Sequence, residues 1–108
     1  MKVVADFCLI PLGVGNSLTK YVAVVQRTLA NAAEQNKISY LMHSCGTNIE
    51  GEWDEVMGVI KKCHEKMHNE HGAPRVHTTV RIGTRTDKSS SIAEKVASVK
   101  EELKKHEA

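Results

Sequence analysis

Two histidines and a glutamate stand at a spacing that zinc hydrolases use. His64, Glu65 and His68 form an HExxH string in a stretch whose apolar pattern predicts a helix. Two histidines one helical turn apart can bind Zn²⁺ while the glutamate activates water. His71 lies on roughly the same helical face. The string is short, however, and a third ligand with a substrate cleft has little room in so small a domain. A partly buried, hydrogen-bonded His64 is the ordinary alternative, so we predict no metal site.

A thiol and an imidazole also stand close together, at Cys45 and His43. Residues i and i+2 of an extended segment point to one face, which would place a nucleophile beside a base. No acid that could orient the imidazole is identifiable. We therefore favour a structural role for both side chains.

Two features could bind an anion. Residues 13–16 form a short glycine-rich loop in front of the first predicted helix, although they match neither GxGxxG nor a P-loop. A basic patch formed by Arg81, Arg85 and Lys88 near the last predicted strand could contact a phosphate or an acidic neighbour. A plain turn is the alternative for the loop, and a solvated or subunit-contact role is the alternative for the patch.

Composition limits the function classes that remain. The 108 residues suit a single domain, residues 1–108, and a 41% hydrophobic and 26% charged content is ordinary for a globular chain. A net charge of +2, scattered along the chain, does not favour nucleic acid or an anionic membrane as partner. Three cysteines without CxxC spacing argue against a disulfide framework and for reduced thiols, so we predict a cytoplasmic protein.

Apolar periodicity predicts the elements that position these residues. Residues 3–10 read as a strand, followed by a helix with Ser17 at its N-cap and an apolar stripe of Leu18, Val22, Val25, Leu29 and Ala32. Residues 38–43 and 46–49 read as a hairpin joined by a tight turn.

The second half of the chain is predicted to contain a helix, a strand and a closing helix, in that order. A helix starts near Glu52, with a stripe of Trp53, Val56, Met57, Ile60, His64 and Met67. Residues 75–85 alternate as a strand with one apolar and one polar face. Ser91 and Glu94 form a capping box for a closing helix with a stripe of Ile92, Val96, Val99 and Leu103.

The resulting order predicts an α+β, ferredoxin-like βαββαβ sandwich with an extra C-terminal helix. We expect an antiparallel four-stranded sheet with helices on one face and with the first and last strands side by side in its middle. The other face would carry Val4, Cys8 and Ile10 beside charged residues, which suggests an oligomer contact or a ligand site. A simply solvated face is the alternative.

Three segments carry a resemblance to a known family. IPLGVGNSLTKYVA, HSCGTNIEGEWDEVMGVIKKCHE and RVHTTVRIGTRTDK resemble the small thiamine-binding, YkoF-like proteins, and the match spans about residues 3–103. Its most specific part is the string from Gly46 to Trp53 and Asp54. Cys45 and the loop residues Val14 to Asn16 depart from the family pattern.

The resemblance implies a ferredoxin-like fold assembled into dimers and tetramers, and binding of thiamine or its hydroxymethylpyrimidine part without a reaction. The family motif places ligand contacts at Thr47, Glu50 and Trp53, with Asp6, Arg81 and Ser44 as further candidates. A carboxylate and a hydroxyl suit an aminopyrimidine, which presents a ring nitrogen and an exocyclic amine side by side. The alternatives are a helix N-terminal acid for Glu50, a core anchor for Trp53 and a plain strand residue for Thr47.

We therefore expect a non-enzymatic, cytoplasmic homo-oligomer that binds thiamine or a related pyrimidine and needs no cofactor. An oligomeric structural or regulatory protein without a small ligand is the second hypothesis. Metal-dependent hydrolysis through residues 64–68 is the third.

Overall fold

The computed structural model describes residues 1–105 and contains four strands and three helices. In chain order the elements are β1 (Lys2–Leu12), α1 (Thr19–Glu34), β2 (Ile38–His43), β3 (Gly46–Glu52), α2 (Trp53–Asn69), β4 (Arg75–Gly83) and α3 (Ile92–Lys104). No helix within this part of the chain is long and apolar enough to cross a membrane.

The strands form one antiparallel sheet in the order β2-β3-β1-β4, which confirms the ferredoxin-like prediction. Phe7 of β1 lies opposite Thr47 of β3 on one side and opposite Val80 of β4 on the other. The first and last strands are neighbours and β1 is central, as expected, but the predicted central position of β4 was wrong. β1 and β3 are central and β4 is an edge strand, because the hairpin partner β2 occupies the far side of β3.

β1 is longer than its apolar run predicted and continues through Pro11, which lies opposite Val76. A proline has no N–H for a sheet ladder, so it is tolerated where a strand lacks a neighbour on one side. β3 pairs with β1 only from Lys2 to Phe7, and Pro11 falls beyond that stretch.

The core lies between the sheet and the pair α1 and α2. Alternate residues of β1, namely Val3, Ala5, Phe7 and Leu9, are buried beneath the two helices, as the strand pattern predicted. Val76, Val80 and Ile82 of β4 are partly buried against the same core.

Both helices bury a face rotated from the predicted one. In α1, Val22 is exposed whereas Tyr21, Val24 and Thr28 are buried beside Val25 and Leu29. In α2, the buried residues are Val56, Val59, Ile60, Cys63 and Met67, whereas Trp53 is 37% exposed. Packing against both a sheet and a second helix widens the buried face beyond a single stripe.

The predicted cap of α1 was wrong, whereas that of α3 is confirmed. α1 begins at Thr19 with Leu18 at its N-cap and has no side-chain cap, so Ser17 does not serve. Ser91 is the N-cap of α3, and its Oγ accepts a hydrogen bond from the Glu94 N–H at 3.1 Å.

The extra helix α3 starts on the sheet face opposite α1 and α2. The Ile92 N–H donates to the Glu50 carboxylate at 2.9 Å, and Ile92 is the one residue of α3 that is buried among residues 92–104. The rest of the predicted stripe, Val96, Val99 and Leu103, is about half exposed or more. The stripe is therefore present in the sequence but lacks a partner within the described chain.

Candidate functional site

A pocket of about 480 Å³ opens where the second half of β1, the β2–β3 turn and the start of α1 meet. Its wall is largely apolar, with six polar side chains set into it. The lining residues are Phe7, Cys8, Leu9, Ile10, Asn16, Leu18, Thr19, Val22, Val25, Gln26, His43, Ser44, Cys45, Gly46 and Thr47. A mostly apolar cavity with a few convergent polar groups is the usual form of a small-molecule site.

Thr47 and Gln26 form the polar centre of this pocket. The alternation of β3 turns Thr47 towards the helices, where it is 2% exposed. The Gln26 side-chain amide, on α1, donates from Nε2 to Thr47 Oγ1 at 2.9 Å. That bond leaves Gln26 with one N–H and its carbonyl oxygen, a donor and an acceptor side by side.

The hairpin turn closes the pocket, and Gly46 allows it to do so. A Cβ at Gly46 would lie 2.6 Å from the Phe7 carbonyl oxygen and 3.2 Å from the His43 ring. Any larger residue would push the turn away from β1. Ser44 stands in this turn and lines the pocket, while the Cys45 N–H donates to His43 Nδ1 at 3.3 Å. The His43 ring thus contacts the backbone of Cys45, not its thiol, and this hydrogen bond supports the turn.

Asp6 and Arg81 lie on the opposite sheet face and form an ion pair. Arg81 donates from Nε and from one terminal nitrogen to the two Asp6 oxygens at 3.0 and 2.5 Å. The Arg81 hydrogen bonds hold the pKa of Asp6 below its ordinary value, against the effect of burial. His43 Nε2 stands 3.5 Å from Asp6, so this histidine connects the pocket rim with the ion pair.

Glu50 also faces away from α1 and α2, and its carboxylate caps α3 through Ile92. Trp53 begins α2 at the far end of the hairpin, and its backbone N–H donates to the Met1 carbonyl at 2.8 Å. Of the six residues predicted to contact a ligand, the structure brings Thr47 and Ser44 to one pocket. It places Asp6, Arg81, Glu50 and Trp53 outside that pocket.

Sequence reasoning missed Gln26. A signal was present, because Gln26 stands four residues after Val22 and three before Leu29, within the apolar stripe predicted for α1. A polar residue on such a stripe needs a buried partner or a ligand.

The histidines of the HExxH string point to separate partners. His64 Nε2 lies 2.6 Å from Thr78 Oγ1 of β4, whereas His68 Nδ1 lies 2.8 Å from the Ala73 carbonyl oxygen. Burial, with a smaller effect of His68, lowers the pKa of His64. No group of three or more His, Cys, Asp or Glu side chains in residues 1–105 is arranged to hold a metal ion.

The two candidate anion features are also accounted for by contacts within the chain. Arg85 lies beyond the end of β4, contrary to the predicted strand through residue 85, and pairs with Asp87. Gly13 has a φ of +82°, and a Cβ there would lie 2.9 Å from the Pro74 side chain. The loop therefore needs glycine for a turn that passes close to the start of β4.

Comparison with known proteins agrees with this fold. The family model described as thiamine-binding protein matches residues 5–100. The Synechocystis sp. UPF0045 protein sll0230 is 50% identical over 99 residues, covering 92% of this chain and 78% of that protein. The UPF0045 protein ECM15 of Eremothecium gossypii is 39% identical over 104 residues, covering 95% and 94% of the two chains.

A solved relative supports the same assignment. The crystal structure of MJ1052 from Methanocaldococcus jannaschii superposes with a TM-score of 0.76 at 31% identity, covering 93% of this chain and 97% of that one. The fold is thus that of a small ferredoxin-like α+β protein. The chain belongs to the thiamine-binding protein family, as its sequence motifs predicted.

Proposed function

We propose that this chain is a non-enzymatic, single-domain cytoplasmic protein that binds thiamine or its hydroxymethylpyrimidine moiety and acts as a homo-oligomer. The ligand site is the pocket around Gln26 and Thr47. Membership of the thiamine-binding family supports the ligand class. The observation that carries the choice of site is the Gln26 amide, which is hydrogen-bonded to Thr47 at 2.9 Å inside a largely apolar cavity.

The chemistry of an aminopyrimidine suits this arrangement. The ring presents an acceptor nitrogen next to an exocyclic amine, which is the complement of the free donor and acceptor on the Gln26 amide. Glutamine pairs with adenine through the same two-bond pattern. Because Thr47 holds the amide in one orientation, little rotamer freedom is lost when the ligand binds. The apolar wall formed by Val22, Val25 and Leu9 would then cover the faces of the ring.

The remaining predicted contacts take other parts in this proposal. Ser44 stays a ligand contact at the pocket rim. Asp6, Arg81 and Glu50 belong to the outer sheet face, which we propose as the contact between subunits. Trp53 lies apart from both, and we expect a Trp53→Phe substitution to leave ligand binding unchanged.

Titration calorimetry with thiamine and with hydroxymethylpyrimidine tests the site. We expect saturable binding near one equivalent per chain, weakened at least about tenfold in Gln26→Leu, since a lost pair of buried hydrogen bonds is worth about 1.4 kcal/mol or more. Gln35→Leu is the matched control, because Gln35, the C-cap residue of the same helix, lies outside the pocket. Equal affinity in Gln26→Leu and the wild-type protein would contradict the proposed site.

An oligomeric structural or regulatory protein without a small ligand is the second candidate. The exposed apolar side chains of Val96, Val99 and Leu103 favour it, since they indicate a contact surface whatever the pocket binds. No heat with either compound from a protein that light scattering shows to be an intact oligomer would favour this candidate.

A further inference from the structure

A second concave site lies between α1 and α2, on the side of α1 away from the hairpin pocket. This groove has a volume of about 230 Å³ and is bounded by the second half of α1 and the first two-thirds of α2. Its lining comprises the basic side chains Lys37, Lys62 and Lys66, the amides Asn31 and Gln35, the acid Glu55, and Thr28, Ala32, Gly58 and Val59.

Positive charge in this groove is not neutralised within the described chain. None of the ion pairs found among residues 1–105 involves Lys37, Lys62 or Lys66. Glu55 is the one acid in the lining, so three ammonium groups face a single carboxylate. Like charges gathered at a concave surface attract counter-ions into it.

Gly58 leaves the α2 wall of the groove without a side chain. It stands in the middle of α2, where glycine costs roughly 1 kcal/mol of helix stability relative to alanine. Neither a positive φ nor a close approach explains it, since an added Cβ would meet no atom within 4 Å. Glycine at this position therefore leaves space in the groove that a larger side chain would fill, although it lowers the stability of the helix.

The buried Cys63 thiol beside the groove lysines carries no negative charge that would repel an anion. Burial raises the pKa of the Cys63 thiol to about 11, against the Thr28 hydrogen bond and the nearby Lys66 and Lys62 charges. The thiol is therefore neutral at physiological pH. Asn31 and Gln35 add neutral N–H donors of the kind that phosphate oxygens accept from.

We propose that the groove over Gly58 binds the phosphate or diphosphate group of a small ligand through Lys37, Lys62 and Lys66. Lysine acts on phosphate as a mobile point charge, and three such charges with two amide donors suit a multiply charged oxyanion. The volume accommodates a phosphate-sized group and leaves the pyrimidine pocket free. The two sites are separate, so this inference does not depend on the proposed function.

Titration of the full chain with inorganic phosphate and with pyrophosphate, followed by calorimetry and by phosphorus NMR, tests the groove. We expect saturable binding, tighter for pyrophosphate because its charge is greater, and progressively weaker as KCl is raised. The double variant Lys62→Gln/Lys66→Gln should weaken binding at least about tenfold. Glu55→Gln should tighten it, because it removes the opposing charge.

Two controls separate this site from general charge attraction. Lys61→Gln/Lys95→Gln removes the same net charge outside the groove and should change the affinity by less than about twofold. Gly58→Asp should abolish binding, whereas Gly58→Ala should leave the protein folded and at least as stable to urea. Equal weakening in both double-lysine variants, or no saturable binding of either anion, would overturn the proposal.

Discussion

Thr47 and Glu50 are three residues apart and lie on opposite faces of the same strand. Successive side chains of a strand alternate between faces, so two residues that are an odd number of positions apart point to opposite faces. The sequence pattern predicted a strand that ends at residue 49, and the family resemblance placed Thr47 and Glu50 in one ligand site. In the structure β3 continues to Glu52, and Glu50 meets Ile92 of α3 while Thr47 meets Gln26 of α1.

The ion pair of Asp6 with Arg81 predicts a dependence of stability on acid pH. The pKa of Asp6 is lower in the folded protein than its ordinary value of 3.8. The pair therefore contributes stability that is present above pH 3.8 and is lost as the pH falls through the folded value. We expect Asp6→Asn to be less stable than the wild-type protein at neutral pH, with the difference shrinking below pH 3.8.

Urea unfolding at a series of pH values measures this difference. Asp87→Asn is the control, because Asp87 pairs with Arg85 in a fully exposed loop although its pKa is also lowered, to about 2. Screening by solvent should make its effect at neutral pH the smaller of the two. An Asp6→Asn protein with the wild-type profile across all pH values would contradict the assigned role.

At the scale of elements, α3 is held to the sheet by few contacts. Ile92 is buried at its first position and its N–H donates to the Glu50 carboxylate, whereas the later apolar residues are exposed. The first residues of a helix have N–H groups that lack partners within the helix. Glu50 satisfies one of these groups from another element, so it fixes where α3 begins rather than how far it extends.

We expect Glu50→Ala to release the start of α3 while the sheet and its two covering helices stay folded. Loss of a capping interaction costs about 1 kcal/mol, so amide exchange in the first turn of α3 should become about fivefold faster. Hydrogen-exchange mass spectrometry measures this change, with Glu65→Ala on the exposed face of α2 as control. Loss of pyrimidine binding with unchanged exchange in α3 would instead return Glu50 to the ligand site.

At the scale of the whole molecule, helices cover one face of the sheet, whereas most of the other face is open to solvent. α1 and α2 cover one sheet face, while the other carries half-buried Val4, Cys8 and Ile10 and the exposed Leu41 of β2. The apolar stripe of α3 continues from this open side. Apolar surface of this extent on a small chain is typical of a contact between subunits.

A charged residue on the α3 stripe should therefore separate the subunits. We expect Val99→Glu to shift the protein from an oligomer to a monomer in light scattering, because a carboxylate would be buried without a partner. Lys95→Glu on the same helix is a control for added negative charge outside the stripe. Val99→Glu that remains an oligomer of unchanged mass would place the subunit contact elsewhere.

The sequence by itself determined those features whose signals are local. Strand alternation, helical periodicity, the Ser91 cap and the string around Gly46 to Trp53 each lie within a few neighbouring residues. They were sufficient for the order of elements, the ferredoxin-like class and the family. Periods of 2.0 and 3.6 residues are properties of the backbone and appear wherever one face is buried.

Only the tertiary structure decided which residues of these elements come into contact with one another. The edge position of β4, the contact of Gln26 with Thr47 across 21 residues and the capping of α3 by Glu50 across 42 residues all depend on how the sheet closes. Helix packing likewise creates the groove over Gly58, whose lysines come from two separate stretches of chain, Lys37 after α1 and Lys62 with Lys66 on α2. No short segment of sequence contains both partners of such a contact, because the contact exists only after distant elements have packed together.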